Sequence, residues 1–340
     1  MADKNLQIRL ASRPAGKPSA ANFELRREPI PVPRDGQVLI RTRYLSLDPY
    51  MRGRMSDAPS YAPPVAVGGI MVGGTVGDVV ESNDPGVKPG DVVLAYTGWQ
   101  EYGVAKAAAV HVLDPSAAPV TTALGVLGMP GFTAYAGLTQ IGHPKPGETV
   151  VVAAATGPVG ATVGQLAKIF GARAVGIAGG PEKVAYLSEI GFDAALDHRA
   201  ASFRADLADA TPDGIDVYFE NVGGHVWDAV LPRLNSFARV PVCGLVAHYN
   251  EHAAPGGPDR APALMSAILR KSLTMRGFIQ NEFAPALLPE FLERATPWVR
   301  DGRLKYHEHI VDGLERAPEA FIGMLDGGNF GKLLVRVSAG

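Results

Sequence analysis

Along the first third of the chain, apolar and polar positions trade places every one or two residues. QVLIRTRYLSL, GGTVGDVVES, GDVVLAYTGWQEYGVA and AAVHVL each have the pattern of a short strand, set off by Gly, Pro and Asp, and predict a β-rich region up to about Pro119. From about Leu124 the period changes. A helix-like TALGVLGMPGFTAYAGLTQIG leads into the apolar strand TVVVAAA, the helix VGATVGQLAKIFG, the strand ARAVGIAG, the helix PEKVAYLSEIG and the strand DAALDH. Strands alternating with helices predict a parallel, doubly wound sheet. The alternation continues through GIDVYFENVGG, HVWDAVLPRL and FARVPVCGLVAHYN, a Pro/Gly-rich loop at APGGPDRAP, and LMSAILRKSLTMRGFI. After the helix-like PALLPEFLERATPWVRDG, the closing residues LLVRV form one more strand. That strand has no neighbour once the alternation ends, whereas the β-rich start needs a closing partner, so the tail is expected to return there.

A chain of 340 residues exceeds one ordinary core, and the change of pattern places the division. The expected domains are 1–125, β-rich; 126–300, the parallel sheet; and 301–340, the return. Hydrophobic residues make up 46%, charged residues 19%, and the formal net charge is −2, which argues against disorder and against a nucleic-acid partner. The single cysteine, Cys243, excludes an intrachain disulfide and a four-cysteine zinc site, and fits a reducing cytoplasm. The first residues interrupt their apolar positions with charge, unlike a signal peptide, and no run reaches the length of a membrane span, so no membrane partner is expected.

The stretch VVVAAATGPVGATVGQLAKIFGA holds the most informative chemistry. In a dinucleotide-binding turn one glycine permits the tight turn, a second lets backbone approach pyrophosphate, and a third lets the helix pack against the strand. Ala155, Gly157 and Gly160 hold those places, and Val163, Leu166, Ala167 and Phe170 give the following helix an apolar face. The helix N-terminus is left to meet anionic phosphate. An NAD-preferring site has an acid about 20 residues on, at the end of the second strand. Here that strand ends in Gly179 and Gly180; Lys183 lies in the first turn of the next helix, and His198 and Arg199 follow the third strand. Glu182 lies past the strand end. The missing carboxylate and the nearby positive charge favour NADP(H).

SLDPYMRGRM, GMPGFTAY, AATGPVGATVGQLAK, GGPEKVAYL, YFENVGG, VCGLVAHYN and NFGK run nearly the length of the chain. With these motifs it resembles the zinc-independent medium-chain dehydrogenase/reductases, in the branch of prostaglandin/leukotriene reductases, plant alkenal double-bond reductases and bacterial curcumin reductases. The resemblance implies an α/β fold in which a GroES-like β-rich catalytic domain, built from both chain ends, accompanies a Rossmann domain, with substrate in the cleft between them and a homodimer as the assembly. It implies that Gly157, Pro158, Val159, Gly160, Gly179, Lys183, His198 and Arg199 hold NADP. Asn221, Cys243, Gly244, Leu245 and Tyr249 would flank the cofactor, and Phe278, Ile279, Gln280 and Asn329 would complete its nicotinamide end. Met129 and Tyr50 would wall the substrate pocket, with Tyr61 a further candidate; either tyrosine could equally be packing. Where many relatives have tyrosine near the 2′-phosphate this chain has His198, whose charge depends on pH. NADP affinity is therefore expected to weaken as pH rises.

Zinc alcohol dehydrogenases of the same superfamily carry Gly-His-Glu where this chain has Gly69 and Ile70, and neither of these ligates. His307 and His309 alternate as on a strand face rather than as metal ligands, so no metal is expected. A conjugated enone needs less polarisation than a ketone: hydride can enter at the β-carbon, and the resulting enolate needs only hydrogen-bond donors. Tyr249 is the candidate to stabilise or relay to that enolate, or else it only anchors the cofactor. The expected activity is NADPH-dependent reduction of the C=C bond of α,β-unsaturated ketones and aldehydes. A quinone reductase and a non-catalytic NADP-binding protein stand as alternatives.

Overall fold

A computed structural model describes residues 4–251 and 259–338, which leaves most of the expected Pro/Gly-rich loop outside the described residues. The chain divides into two compact units. The first takes the residues up to Leu124, 249–251 and those from Glu308 onward; the second takes 125–248 and the described residues from 259 to His307.

In the first unit, β1 (Lys4–Leu10) and β2 (Phe23–Pro29) form an antiparallel ribbon. The sequence pattern did not announce β1, yet Leu6, Ile8 and Leu10 alternate onto one buried face. A second sheet contains β3 (Gln37–Ser46), β4 (Thr75–Ser82), β5 (Val92–Ala95), β6 (Tyr102–Lys106), β7 (His111–Val112), β14 (Glu308–Asp312) and β15 (Lys332–Arg336). Its order is β14-β15-β3-β4-β5-β7, with β6 also paired to β3. The end of the chain is thus an interior strand, with β15 antiparallel to β3 and parallel to β14. The core is aromatic at its centre. Phe23 stacks on Trp99 at 5.7 Å, and Phe321, from α9 (Ala317–Leu325), meets both rings edge-on. The short helix α1 (Met51–Arg54) follows a turn fixed by a buried ion pair, Lys332 Nζ to Asp48 Oδ1 at 2.6 Å, and the same ammonium donates to the Leu47 carbonyl.

The second unit is a six-stranded parallel sheet of β8 (Thr149–Ala153), β9 (Arg173–Ala178), β10 (Ala194–Asp197), β11 (Ile215–Phe219), β12 (Leu234–Val242) and β13 (Thr274–Gly277), in the order β10-β9-β8-β11-β12-β13. Continuous apolar runs such as Val150 to Ala153 are buried on both faces, as a helix-covered parallel sheet requires. The helices are α2 (Met129–Gly137), α3 (Pro158–Ile169), α4 (Pro181–Glu189), α5 (Phe203–Ala210), α6 (Gly224–Val230), α7 (Ala261–Lys271) and α8 (Ala284–Arg300). Strand order reverses between β8 and β11, so the crevice at their carboxyl ends is where such a sheet binds a ligand.

Three expectations need correction. The helix expected from TALGVLGMPGFTAYAGLTQIG is broken into a 3-10 turn at Val120–Leu124, α2 and a π turn at Leu138–Gly142. The chain packs so closely there that a Cβ on Gly131 would stand 1.9 Å from the Val126 carbonyl oxygen. Residues 301–307 stay with the parallel-sheet unit, because Leu304 is buried in its core and Lys305 exchanges hydrogen bonds with the Gln165 side chain at 2.7 and 2.8 Å. Finally, His307 and His309 do not share a strand face: β14 begins at Glu308, and His307 meets the Tyr186 ring edge-on at 6.0 Å.

Candidate functional site

The chain leaves β8 through Ala154, whose φ of +51 makes it, rather than Ala155, the residue that takes the strained turn. Ala155 is fully buried and donates its N–H to the Ile177 carbonyl on the neighbouring strand. Gly157 is the N-cap of α3, Pro158 and Val159 open the first turn, and no side chain caps it. A Cβ on Gly160 would stand 2.4 Å from the Ala154 carbonyl oxygen and 2.7 Å from Ala155 Cα, so only glycine lets the helix approach the strand this closely. The uncapped first turn leaves backbone N–H donors for an anion.

At the end of β9, Gly180 has φ +96 and caps α4, which carries Lys183 in its first turn. The Asp197 carboxylate, at the end of β10, accepts the N–H groups of Gly180 and Arg199 at 3.0 and 2.9 Å, and these bonds hold it below the usual carboxylate range. Gly179 lies in a notch: a Cβ there would stand 2.9 Å from both Arg199 Nε and His198 Nε2. Burial and the Arg199 charge push Lys183 below the ordinary lysine range. Burial, then His225, then Arg199 push His198 below the ordinary imidazole range. β9 itself ends without an acid, and the Arg199 charge disfavours that of Lys183 there, which fits a ligand carrying an extra phosphate. The same effects disfavour the charged form of the His198 ring.

At the ends of β11 to β13, Asn221 Nδ2 donates to the Ala153 carbonyl at 2.9 Å and so ties β11 to β8 across the switch point. Sequence reasoning missed its neighbour. Glu220 is buried, and one carboxylate oxygen accepts from Val222 N, Gly223 N and the Tyr218 hydroxyl at 2.7, 2.9 and 3.1 Å; burial nonetheless raises its pKa above the ordinary glutamate value. An acid ending an apolar strand, in YFENVGG, was the available signal. Cys243 and Gly244 both donate N–H to the Glu220 carbonyl, and burial, with Glu220 nearby, pushes the thiol up to about 12. Leu245 is exposed. Phe278 packs edge-on against Phe219 at 6.1 Å, so its side chain belongs to the core. Ile279 and Gln280 are half-buried beyond it. Met129, half-buried at the start of α2, takes a hydrogen bond from the Thr133 hydroxyl on its carbonyl.

Tyr50, Tyr61, Tyr249 and Asn329 belong to the first unit. Arg54, missed from the sequence, brings two of them together, its guanidinium 5.8 Å from the Tyr50 ring and 4.5 Å from the exposed Tyr61 ring. Burial, then Asp48, raises the Tyr50 phenol above the ordinary range. Tyr249 is half-buried, and the next residue is held by Arg52, whose Nε donates to Asn250 Oδ1 at 3.3 Å. Asn329 donates to the Gly331 carbonyl at 2.9 Å, shaping its own turn. Among the described residues no three His, Cys, Asp or Glu side chains group as a metal cage, and no helix is long and apolar enough to cross a membrane.

Residues 6–113 match a domain family described as "N-terminal domain of oxidoreductase", and residues 158–296 one described as "Zinc-binding dehydrogenase". The chain is 55% identical over 336 residues to the NADPH-dependent curcumin reductase of Escherichia coli, covering 98% of this chain and 97% of that protein. It is 40% identical over 325 residues to prostaglandin reductase 1 of Rattus norvegicus, covering 94% and 95%. The crystal structure of CurA in complex with NADPH from Vibrio vulnificus superposes with a TM-score of 0.95 at 52% identity, covering 98% of this chain and 100% of that one.

Proposed function

The chain belongs to the medium-chain dehydrogenase/reductase family, in the branch that holds the prostaglandin and curcumin reductases, and from that premise we propose that it reduces the C=C bond of α,β-unsaturated ketones and aldehydes with NADPH. The observation that carries the choice of cofactor is the group of Lys183, His198 and Arg199 around a strand end with no acid of its own. The uncapped turn at Gly157, Pro158, Val159 and Gly160 receives the pyrophosphate. Gly179 leaves room for the 2′-phosphate, which Lys183, His198 and Arg199 bind. Asn221, Cys243, Gly244 and Leu245 line the nicotinamide half, joined by the backbone at Phe278, Ile279 and Gln280; Asn329, in the first unit, is a separate cofactor-binding candidate.

When bound, NADPH supplies hydride to the β-carbon of the enone. Tyr249 donates a hydrogen bond to the carbonyl oxygen, which gains negative charge as the β-carbon is reduced, and the α-carbon takes its proton from solvent. Gly69 and Ile70 offer no ligand to a metal, so this polarisation falls to hydrogen-bond donors. Tyr50 and Tyr61, in the first unit, are aromatic candidates to meet the substrate, and Met129, in the second, is an apolar one. A homodimer and a cytoplasmic location complete the proposal; the open edge at β13 supports the first and the single cysteine favours the second.

An NADPH-oxidation assay over enals, enones, curcumin and quinones, with NADH in parallel, tests this reading. The expected result is turnover of enones to products saturated at the C=C bond, with NADPH preferred at least about tenfold in kcat/KM, the size of one charge-assisted hydrogen bond. Equal use of NADH, or turnover of quinones alone, overturns it. Tyr249→Phe should lower kcat about a hundredfold or more, the low end of what one polarising donor contributes. A raised KM for NADPH at unchanged kcat would reduce Tyr249 to an anchor.

A further inference from the structure

The second histidine beside the phosphate notch decides where the first one keeps its proton. His225 Nε2 lies 3.1 Å from His198 Nδ1 and 3.3 Å from the His198 carbonyl oxygen, with the two rings 5.1 Å apart. A carbonyl oxygen only accepts, so the His225 nitrogen facing it carries the hydrogen and shares it between that oxygen and His198 Nδ1. His198 Nδ1 then accepts, and the neutral ring keeps its own hydrogen on Nε2, the nitrogen that faces Gly179 beside Arg199 Nε. His225 is itself held in place, at the start of α6 after the left-handed Gly223 and Gly224 and edge-on to Phe203 at 6.4 Å.

We propose that His225 is a positioning residue for cofactor selectivity: it locks His198 in the tautomer whose Nε2–H donates to the 2′-phosphate of NADPH while the ring is uncharged. The proposal rests on the NADPH reading above and deepens it. The charged and titratable groups around His198 are His225, Arg199 and Lys183, which disfavour its protonation, and Asp197, which favours it but is engaged by the N–H groups of Gly180 and Arg199. A neutral donor reverses the expectation drawn from the sequence, because affinity no longer depends on holding a proton that neutral pH removes. The imidazole stands in for a hydroxyl donor, at the cost of needing a second residue to orient its hydrogen.

Calorimetric titration with adenosine 2′,5′-bisphosphate, with 5′-AMP as the control lacking the second phosphate, reads this without turnover. The wild-type Kd for the bisphosphate should change less than about twofold between roughly pH 7 and 8.5, where a phosphate monoester is already mostly dianionic. His225→Leu should weaken bisphosphate binding about three- to tenfold at pH 8, a fraction of a hydrogen bond to a charged group, and leave 5′-AMP binding unchanged. His225→Gln, whose amide N–H can donate to Nδ1, should regain most of the loss. In a His198→Tyr background His225→Leu should have no effect, because a phenol needs no tautomer. His225→Leu binding the bisphosphate as the wild type does, or a wild-type affinity that falls about tenfold from pH 7 to 8.5, overturns the lock. Wild-type protein that binds 5′-AMP as tightly as the bisphosphate overturns the NADPH reading itself, a separate failure.

Discussion

Ala154 accepts a left-handed backbone, φ +51, where alanine is disfavoured by roughly 1–2 kcal/mol. Glycine would remove that cost but lose about 0.5–1 kcal/mol in chain entropy, so Ala154→Gly should stabilise the protein by about 0.5–1 kcal/mol, read as a higher urea midpoint at unchanged slope. Gly160→Ala should do the reverse. Its new Cβ would stand 2.4 Å from the Ala154 carbonyl oxygen, and forcing the helix off the strand costs about 1–3 kcal/mol. The places of Gly157 before α3, of Gly160 against the strand and of Lys183 in the first turn of α4 were legible in the sequence, because the turn motif fixes them. The strain at Ala154 was not, since an alanine gives no sign of its φ. Nor was His225: it meets His198 only because α6 starts where β11 ends, a proximity that no local spacing encodes.

The same limit applies to whole elements. FARVPVCGL reads as an uninterrupted strand, and β12 does pair with β11 at Ile215 opposite Leu234 and Val217 opposite Arg239, but between these points residues 235–238 leave the ladder. Phe237, at φ +65 and 71% exposed, tops that excursion. A bulge changes register without changing composition, so the apolar pattern could not report it. A bulky side chain in the left-handed region is strained, and no described residue buries the ring in return. Phe237→Asn should therefore stabilise the fold by up to about 1 kcal/mol, measured by urea unfolding. A loss of stability would show instead that the ring has a partner in solution. The period-3.6 and period-2 segments themselves were legible, from the buried run of β8 to the apolar face of α3, because burial on one or both faces writes directly into the sequence.

At the scale of the molecule, the change from short β segments to alternating strands and helices reflects two different ways of covering a sheet. Boundaries were harder, since Lys305 stays with the second unit through two hydrogen bonds to Gln165 that no pattern announces. Each unit also carries its own acid-sensitive pair. Against a burial that would raise it, hydrogen bonds from Arg43 and Arg41 hold Asp78 below the usual carboxylate range, and Arg239 does the same for Glu148 in the other unit. A carboxylate whose folded pKa is depressed contributes stability that is complete above its unfolded value, about 3.9 for aspartate, and is lost as pH falls through the folded value. Arg43→Met should therefore cost about 1.5–3 kcal/mol at pH 7, and its melting curve should converge on the wild type only below about pH 4.

Assembly depends on what the parallel sheet leaves open. β13 ends the sheet order and pairs with β12 alone among the described strands, so its outer backbone groups present an edge that another strand could extend. On α7, which precedes it, Leu269 is 81% and Met265 63% exposed, four residues apart on one face of the helix. The homodimer proposed above would extend the sheet by pairing β13 with its copy across a two-fold axis, and α7 is the second candidate surface for that contact. Light scattering after size exclusion should give a mass of two chains at micromolar concentration, and Leu269→Glu should halve it by placing a charge in the contact. A wild-type protein that elutes as one chain at that concentration would leave the edge and α7 exposed, and the homodimer would fall.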